Sequence, residues 1–456
     1  MFAKKTITAL VTAPINQNIA LIRVSGPETY SIISSIFDRP LPKYSQKKSQ
    51  LIFGNVINQK KEIIDQVLLL CFYQPQSFTG EDVVEISCHG NLFLVNQILQ
   101  LLLSQGAELA EPGEFSKQAF FNDKLSLIQA QAINDLIRAP NLSSVQLALH
   151  NLSPQAKNAL EDLETKLLEI IATIEVNIDY PEYDGVEYLT GQRVLISLQS
   201  FQKELEKIFR SSQQANIYQV GIKVAIVGKP NVGKSTLLNA LLQEEKALVS
   251  PWAGTTRDVV EGRYNLKGIP LILFDTAGIH SAENLIERMG IQRSRQFLAK
   301  AELIFFCLDN SRIWNKEDND IWQLVKNKKN VIIINKIDLK KRLQLPPGFP
   351  QEKVVLINAK QGNIQALEEK IEQLLVKDLG SVHSPYPFLS QSWQQTKLKQ
   401  LIKMNQEIIQ ALEEKIPLDV ISGDLKITFS LLQELTGHGD QGDLLDIIFS
   451  KFCLGK

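Results

Sequence analysis

Residues 228–236 read GKPNVGKST, and the segments on either side decide what that stretch means. An unbroken apolar run, IKVAIV (222–227), leads into it, and a helical pattern, LLNALL (237–242), follows. Between a strand and a helix, Gly228 and Gly233 let backbone amides close on a chain of phosphates. Lys234 then reaches the terminal phosphates and the Ser235 hydroxyl is a magnesium ligand. Asn231, Val232 and Thr236 complete the loop. Further short apolar runs follow at LILF (271–274), LIFFCL (303–308), VIII (331–334) and VVLI (354–357), each with a turn and a helical segment behind it. Runs without polar alternation are strands covered on both faces, so this part of the chain is expected to be a doubly wound, mainly parallel sheet.

Three more nucleotide motifs come in the order such a sheet requires. Ser250, Pro251, Trp252, Ala253, Gly254, Thr255 and Thr256 form a switch-like segment in which the Thr256 hydroxyl is a second magnesium ligand. DTAG (275–278) supplies Asp275 for the metal's water shell, Thr276 and Ala277 beside it, and the Gly278 amide for the terminal phosphate. NKID (Asn335, Lys336, Ile337, Asp338) selects the base: guanine presents an N1–H and a 2-amino group side by side, a donor pair that one carboxylate, Asp338, accepts, and adenine has no such pair. The closing loop is NAK (Asn358, Ala359, Lys360), with asparagine where serine is commoner. GTP with Mg2+ is the expected ligand. The residue after DTAG is Ile279, which cannot orient an attacking water as glutamine does, so hydrolysis needs another water-positioning group and another positive charge. Asn231 is placed to hold a monovalent cation beside the phosphates; a plain turn residue is the other reading.

Outward from this core the pattern changes. Before about residue 119, runs such as IALIRV, VLLLCF and VVEIS alternate with polar turns and one apolar helix, LFLVNQILQLLL, a mixed α/β body. Leu160, Leu163, Leu167, Ile171, Ile174 and Ile178 then recur at helical steps, followed by Val194, Leu198, Phe201, Leu205 and Ile208. An acidic break, DYPEYDGVEY, separates the two series. Past SPYP, Leu398, Leu401, Ile402, Ile408, Ile409 and Leu412 resume the helical spacing. The expected organisation is an amino-terminal α/β domain (1–119), the first half of a helical domain (120–215), an inserted nucleotide domain (216–377) and the second helical half with the tail (378–456).

Forty-nine basic against 50 acidic residues give a net charge of −1, so any contact with nucleic acid has to be local. Cys71, Cys88, Cys307 and Cys453 have no metal or redox spacing, which suits a reducing compartment. With no run near the ~20 apolar residues of a membrane helix, a cytoplasmic location is expected. The tail FSKFCLGK sets Cys453 where a prenyl group is attached to many GTP switches, but Leu454, Gly455 and Lys456 do not fit that signal.

GKPNVGKST, AGTTRD, DTAGI, IERMGI, NKID, AEPGEFSKQAFFNDKLSLIQA and the terminal KFCLGK together resemble the tRNA modification GTPases of the MnmE (TrmE) family, over nearly the whole chain. The resemblance implies a tetrahydrofolate-binding amino-terminal domain that also dimerises, and a helical domain carrying the GTPase domain. It also implies joint work with an FAD-dependent partner of the MnmG (GidA) type, in a heterotetramer, to place an aminomethyl-type group on carbon 5 of the wobble uridine of certain tRNAs. Carried over, Asn231, Ser250, Trp252 and Thr255 would bind K+, and Glu287 in IERMGI would orient the attacking water. Arg23, Glu85, Lys124 and Lys456 would contact 5-formyl- or methylene-tetrahydrofolate. A pterin offers the same adjacent donors as guanine, which suits Glu85 as reader, while arginine and lysine suit the polar and anionic ends of folate. Cys453 would lie near the reacting carbon, as a nucleophile or as a packing residue. Departures from the family pattern are APINQN (13–18), SCHGN (87–91) and His280. A ribosome-assembly or regulatory GTPase without transfer chemistry is the competing expectation.

Overall fold

The computed structural model describes residues 5–41, 49–179, 191–243, 262–275, 298, 301–376, 385–439, 442–453 and 455. The chain divides into two compact units, one made of residues 1–137, 151–201 and 403–456, the other of 138–150 and 202–402.

The first unit begins as a six-stranded sheet of β1 (Ile7–Leu10), β2 (Ile19–Ser25), β3 (Gln50–Ile57), β4 (Ile63–Phe72), β5 (Val83–His89) and β6 (Glu108–Leu109). Their spatial order is β3-β4-β5-β2-β1-β6, antiparallel except where β6 joins β1. Helices α1 (Thr29–Ile36) and α2 (Leu92–Ser104) cover one face. Asn91 caps α2 by accepting from the Phe93 amide at 2.9 Å, and the stripe Val95, Ile98, Leu102 is buried against the sheet with Ile32, Ile33 and Ile36 of α1. Each such side chain contributes about 1.5–3 kcal/mol on burial, so this face is the main source of stability here. The other face is different at β3 and β4, where Leu51, Phe53 and Leu68 are exposed.

The chain continues through α3 (Glu114–Phe121), α4 (Leu127–Arg138) and α5 (Leu142–Leu152) into α6 (Pro154–Asp179) and α7 (Gly191–Val220). Leu160, Leu163, Leu167, Ile171 and Ile174 of α6 are buried, as the spacing predicts, and α6 packs along the helix Leu418–Thr436. Ile178, the last of that series, is exposed instead. The acidic break lies outside the described residues. Sequence periodicity passed over Asn405, which is fully buried among leucines and donates to the Leu198 carbonyl at 3.1 Å.

The second unit is built on a sheet ordered β12-β11-β10-β7-β9-β8. Its parallel strands are β7 (Ile222–Val227), β9 (Ile269–Asp275), β10 (Leu303–Asp309), β11 (Asn330–Asn335) and β12 (Val354–Leu356), each of which the apolar runs anticipated. β8 (Gly262–Leu266) is the antiparallel edge, and its alternating burial kept it from reading as a buried run. Helices α8 (Lys234–Gln243) and Gln365–Val376 pack on one face over Leu237, Leu241, Leu367 and Ile371. Helix Lys316–Val325 packs on the other, where Phe306, Trp322 and Phe349 meet. The fold is therefore the multidomain α/β plus α arrangement with a mainly parallel nucleotide-type sheet.

Candidate functional sites

In the second unit, β7 ends at Val227 and α8 begins at Lys234, so residues 228–233 form the turn at the carboxyl end of a central strand. Two glycines are required there. Gly228 has φ +155° and a Cβ on it would stand 2.4 Å from the Cys307 carbonyl; on Gly233, at φ +100°, it would stand 2.3 Å from the Asn335 amide nitrogen. Asn231 is left-handed as well, at φ +66°.

The carbonyls of the loop are capped one after another. Lys234 Nζ donates to Gly228 O and Lys229 O, both at 2.9 Å. Arg312 donates to Pro230 O at 3.3 Å, Lys336 Nζ to Asn231 O at 2.6 Å, and Asn335 Nδ2 to Val232 O at 3.1 Å. Five consecutive carbonyls thus face side-chain donors, and the loop runs into the N-terminus of α8, where backbone N–H groups and the helix dipole suit an anion. Ser235 and Thr236 are exposed on that first turn.

Asn335 also accepts from the Ala359 amide at 3.0 Å, which joins the phosphate loop to the NAK loop through one buried side chain. Asn358 and Ala359 are buried, and Lys360, Ile337 and Asp338 are exposed. Lys336, at φ +61°, is braced by Asp309, whose carboxylate also meets Arg312 and Ser311. Burial pushes the Asp309 carboxyl up, but Lys336 and Ser311 outweigh it and hold it below the usual carboxylate range. Asp309, Arg312, Lys229 and Asp318 were not singled out in the sequence, because no motif links Asp309 to Lys336 27 positions on, Arg312 to Pro230 82 positions back, or Lys229 to Asp318 89 positions on. Asp275 closes β9 in register with Ile226. Ser250, Pro251, Trp252, Ala253, Gly254, Thr255, Thr256, Thr276, Ala277, Gly278 and Glu287 lie outside the described residues.

The first unit brings together Arg23, Glu85 and the tail. Arg23 and Glu85 are cross-strand neighbours on β2 and β5. Arg23 Nε and Nη2 donate to Glu85 Oε1 at 2.9 and 2.7 Å, and Nη1 donates to the Gly455 carbonyl at 3.1 Å. The guanidinium lies 5.3 Å from the Phe78 ring centre and 5.4 Å from that of Phe115. Three of its five N–H donors are thus taken up inside the protein. Among the described residues, Glu85 Oε2 accepts no hydrogen bond.

The tail is a packed part of this site. Gly455, at φ +85°, rests against β1, where a Cβ would come within 2.8 Å of Val11 Cα and 2.9 Å of Leu10 O. Gly113 of EPGEF opens α3 with φ +74°, and a Cβ there would meet the Phe449 carbonyl at 2.3 Å; its amide points at Cys453 O, 3.4 Å away. The EPGEF and FCLGK motifs therefore interlock through glycine. Cys453 is half-buried, whereas burial pushes the Cys71 and Cys88 thiols up to about 11.

Lys124 is exposed and its stem lies along Gly80, in the same loop that carries Phe78 under Arg23. Asn122 ties that loop down by donating to the Thr79 carbonyl at 2.7 Å. Asp123 and Leu125, on either side of Lys124, line a cavity of about 640 Å3 with Phe120, Leu445 and His438. Glu164 orients His438 through Nδ1 at 2.8 Å. Lys456 lies outside the described residues.

Two family descriptions match this chain: "GTP-binding protein TrmE N-terminus" over residues 6–124 and "MnmE helical domain" over 127–453. It is similar to the tRNA modification GTPase MnmE of Bacillus subtilis, at 38% identity over 99% of this chain and 100% of the relative. The protein of that name from Enterococcus faecalis is 38% identical over 99% and 98% of the two chains, and that from Streptococcus thermophilus 37% over the same shares.

Proposed function

The chain belongs to the MnmE family of tRNA modification GTPases, and from that premise we propose a GTP hydrolase whose turnover serves the modification of tRNA wobble uridine at carbon 5. The reaction class is addition of an aminomethyl-type group, finally carboxymethylaminomethyl, with the one carbon drawn from 5-formyl- or methylene-tetrahydrofolate. An FAD-dependent subunit of the MnmG type is the proposed partner, in a heterotetramer with a homodimer of this chain. The exposed apolar face of Leu51, Phe53 and Leu68 on β3 and β4 suits the homodimer contact. Four unpaired cysteines suit the cytoplasm, and among the described residues no helix is long and apolar enough to cross a membrane. The four-part division at residues 119, 215 and 377 is kept as our proposed domain organisation.

The observation that carries this reading is Gly455 fastened to Arg23, which in turn holds Glu85. A GTPase that only assembles RNA has no use for a tail built against a buried Arg23–Glu85 pair. Glu85 Oε2 is the acceptor that would read the pterin donors, and Arg23 acts by holding the carboxylate. Lys124, with Lys456, is the partner for the anionic end, and the cavity beside Lys124 has the volume of a small-molecule site. When bound, folate supplies the one-carbon unit; the protein orients it and excludes water. In the nucleotide site, Mg2+ held by Ser235 and Thr256 would neutralise phosphate charge, and Glu287 would position water.

Cells lacking this chain should lose the carbon-5-modified wobble uridine in mass analysis of tRNA nucleosides, and the intact protein should restore it. Failure of Cys453→Ser to restore it would give the thiol a chemical role. An unchanged nucleoside profile would move the assignment to the assembly GTPase. A second expectation concerns the cation. Asn231 lies exposed at the lip of the loop with its carbonyl pinned by Lys336, which leaves the side-chain oxygen for K+. GTP turnover should be at least about tenfold faster in potassium chloride than in sodium chloride at equal ionic strength, the scale of one stabilising charge in the transition state. Equal rates would remove K+ from the mechanism.

A further inference from the structure

The phosphate loop carries a second lysine that no nucleotide motif assigns. Lys229 is buried, with a side chain only 8% exposed, and its Nζ donates to Asp318 Oδ2 at 2.6 Å and to Asn315 Oδ1 at 3.1 Å. Both acceptors belong to the start of helix Lys316–Val325. Asn315 is its N-cap and accepts from the Asp318 amide at 3.2 Å, while the Asp318 carboxylate accepts from the Asn315 amide at 3.1 Å. The ammonium is thus inserted into a completed capping box.

That location is electrostatically poor for a cation. A helix N-terminus carries partial positive charge, and burying an ion pair seldom adds stability over an apolar pair of similar size. What the arrangement does supply is a fixed position. The Lys229 carbonyl accepts from Lys234 Nζ, the group that must swing to the phosphates when a nucleotide enters. Once Lys234 leaves, Gly228 and Lys229 lose their carbonyl cap, and the Lys229 side chain remains as the anchor of that half of the loop.

We propose that Lys229 and Asp318 are positioning residues that hold the phosphate loop in its binding shape while Lys234 changes partners. The inference rests on the reading of residues 228–236 as a GTP phosphate loop. Without the anchor, binding must order one or two loop residues that are otherwise already placed, which weakens affinity by roughly ten- to a hundredfold.

The test is GDP binding to the full-length protein, measured by fluorescence with a labelled GDP and Mg2+. The double variant Lys229→Met/Asp318→Leu removes both charges together and leaves no buried ion alone. It should unfold cooperatively near the wild-type temperature yet bind GDP at least about tenfold more weakly. Wild-type affinity in that folded variant would overturn the proposal. If the double variant does not fold, Lys229→Gln decides: it should raise the KM for GTP more than it changes kcat, and an unchanged KM would overturn the proposal. Absence of GDP binding by the wild type would instead refute the phosphate-loop reading beneath it.

Discussion

Asp338→Asn is expected to weaken GTP binding by roughly a hundred- to a thousandfold while improving binding of XTP. The basis is the geometry of the guanine edge. Asp338 offers two acceptor oxygens to the adjacent N1–H and 2-amino donors; an asparagine keeps one acceptor and turns a donor toward the amino group. Losing one partner of a charge-assisted pair costs about 3–4 kcal/mol when the other is left facing the wrong group. Xanthine carries a carbonyl where guanine carries the amino group, so the same asparagine pairs with it. The loop itself should not move, because its anchors are Asn335 to Val232 and Ala359, and Lys336 to Asn231 and Asp309, none of which involves Asp338. Titration of fluorescent GTP and XTP against both proteins checks it. Undiminished GTP binding in the variant would mean that another group reads the base.

Glu85→Ala should abolish binding of 5-formyltetrahydrofolate and also destabilise the first unit. The two effects have different causes, which a second variant separates. Alanine leaves Arg23 buried between Phe78 and Phe115 with only the Gly455 carbonyl for a partner, and breaking a buried pair in this way costs about 3–5 kcal/mol. Glu85→Gln keeps one oxygen for Arg23 and nearly the same volume, so most of that loss should be recovered. It presents an amide N–H₂ toward the pterin donors, and folate affinity should still fall by about a hundredfold. Calorimetric titration with 5-formyltetrahydrofolate, paired with thermal unfolding, reads both. Full-strength binding by the folded Glu85→Gln protein would dismiss Glu85 as the reader. Because Gly455 shares Arg23 with Glu85, the alanine variant should also loosen the tail.

The two sites were legible in the sequence to different degrees. The phosphate loop and the guanine-reading tetrapeptide could be read directly, since their function resides in consecutive backbone amides and in side chains a few positions apart. The buried strands around them were equally clear, because a strand covered on both faces has to be apolar throughout. Edge strand β8, with its half-buried alternation, and Asn405, a buried amide in a leucine stripe, were not.

By itself, then, the sequence determined whatever is encoded within one turn or one strand: the nucleotide motifs, the helical stripes, the absence of any metal or redox spacing among the four cysteines. Only the tertiary structure decided that Arg23 serves Glu85 and the Gly455 carbonyl 432 positions away, that Gly113 accommodates Phe449, and that Lys229 reaches Asp318 across 89 residues. The reason is physical. Which side chains face each other across β2 and β5 is set by sheet register, and register follows from burying the whole apolar face at once, a cooperative outcome that no local stretch contains.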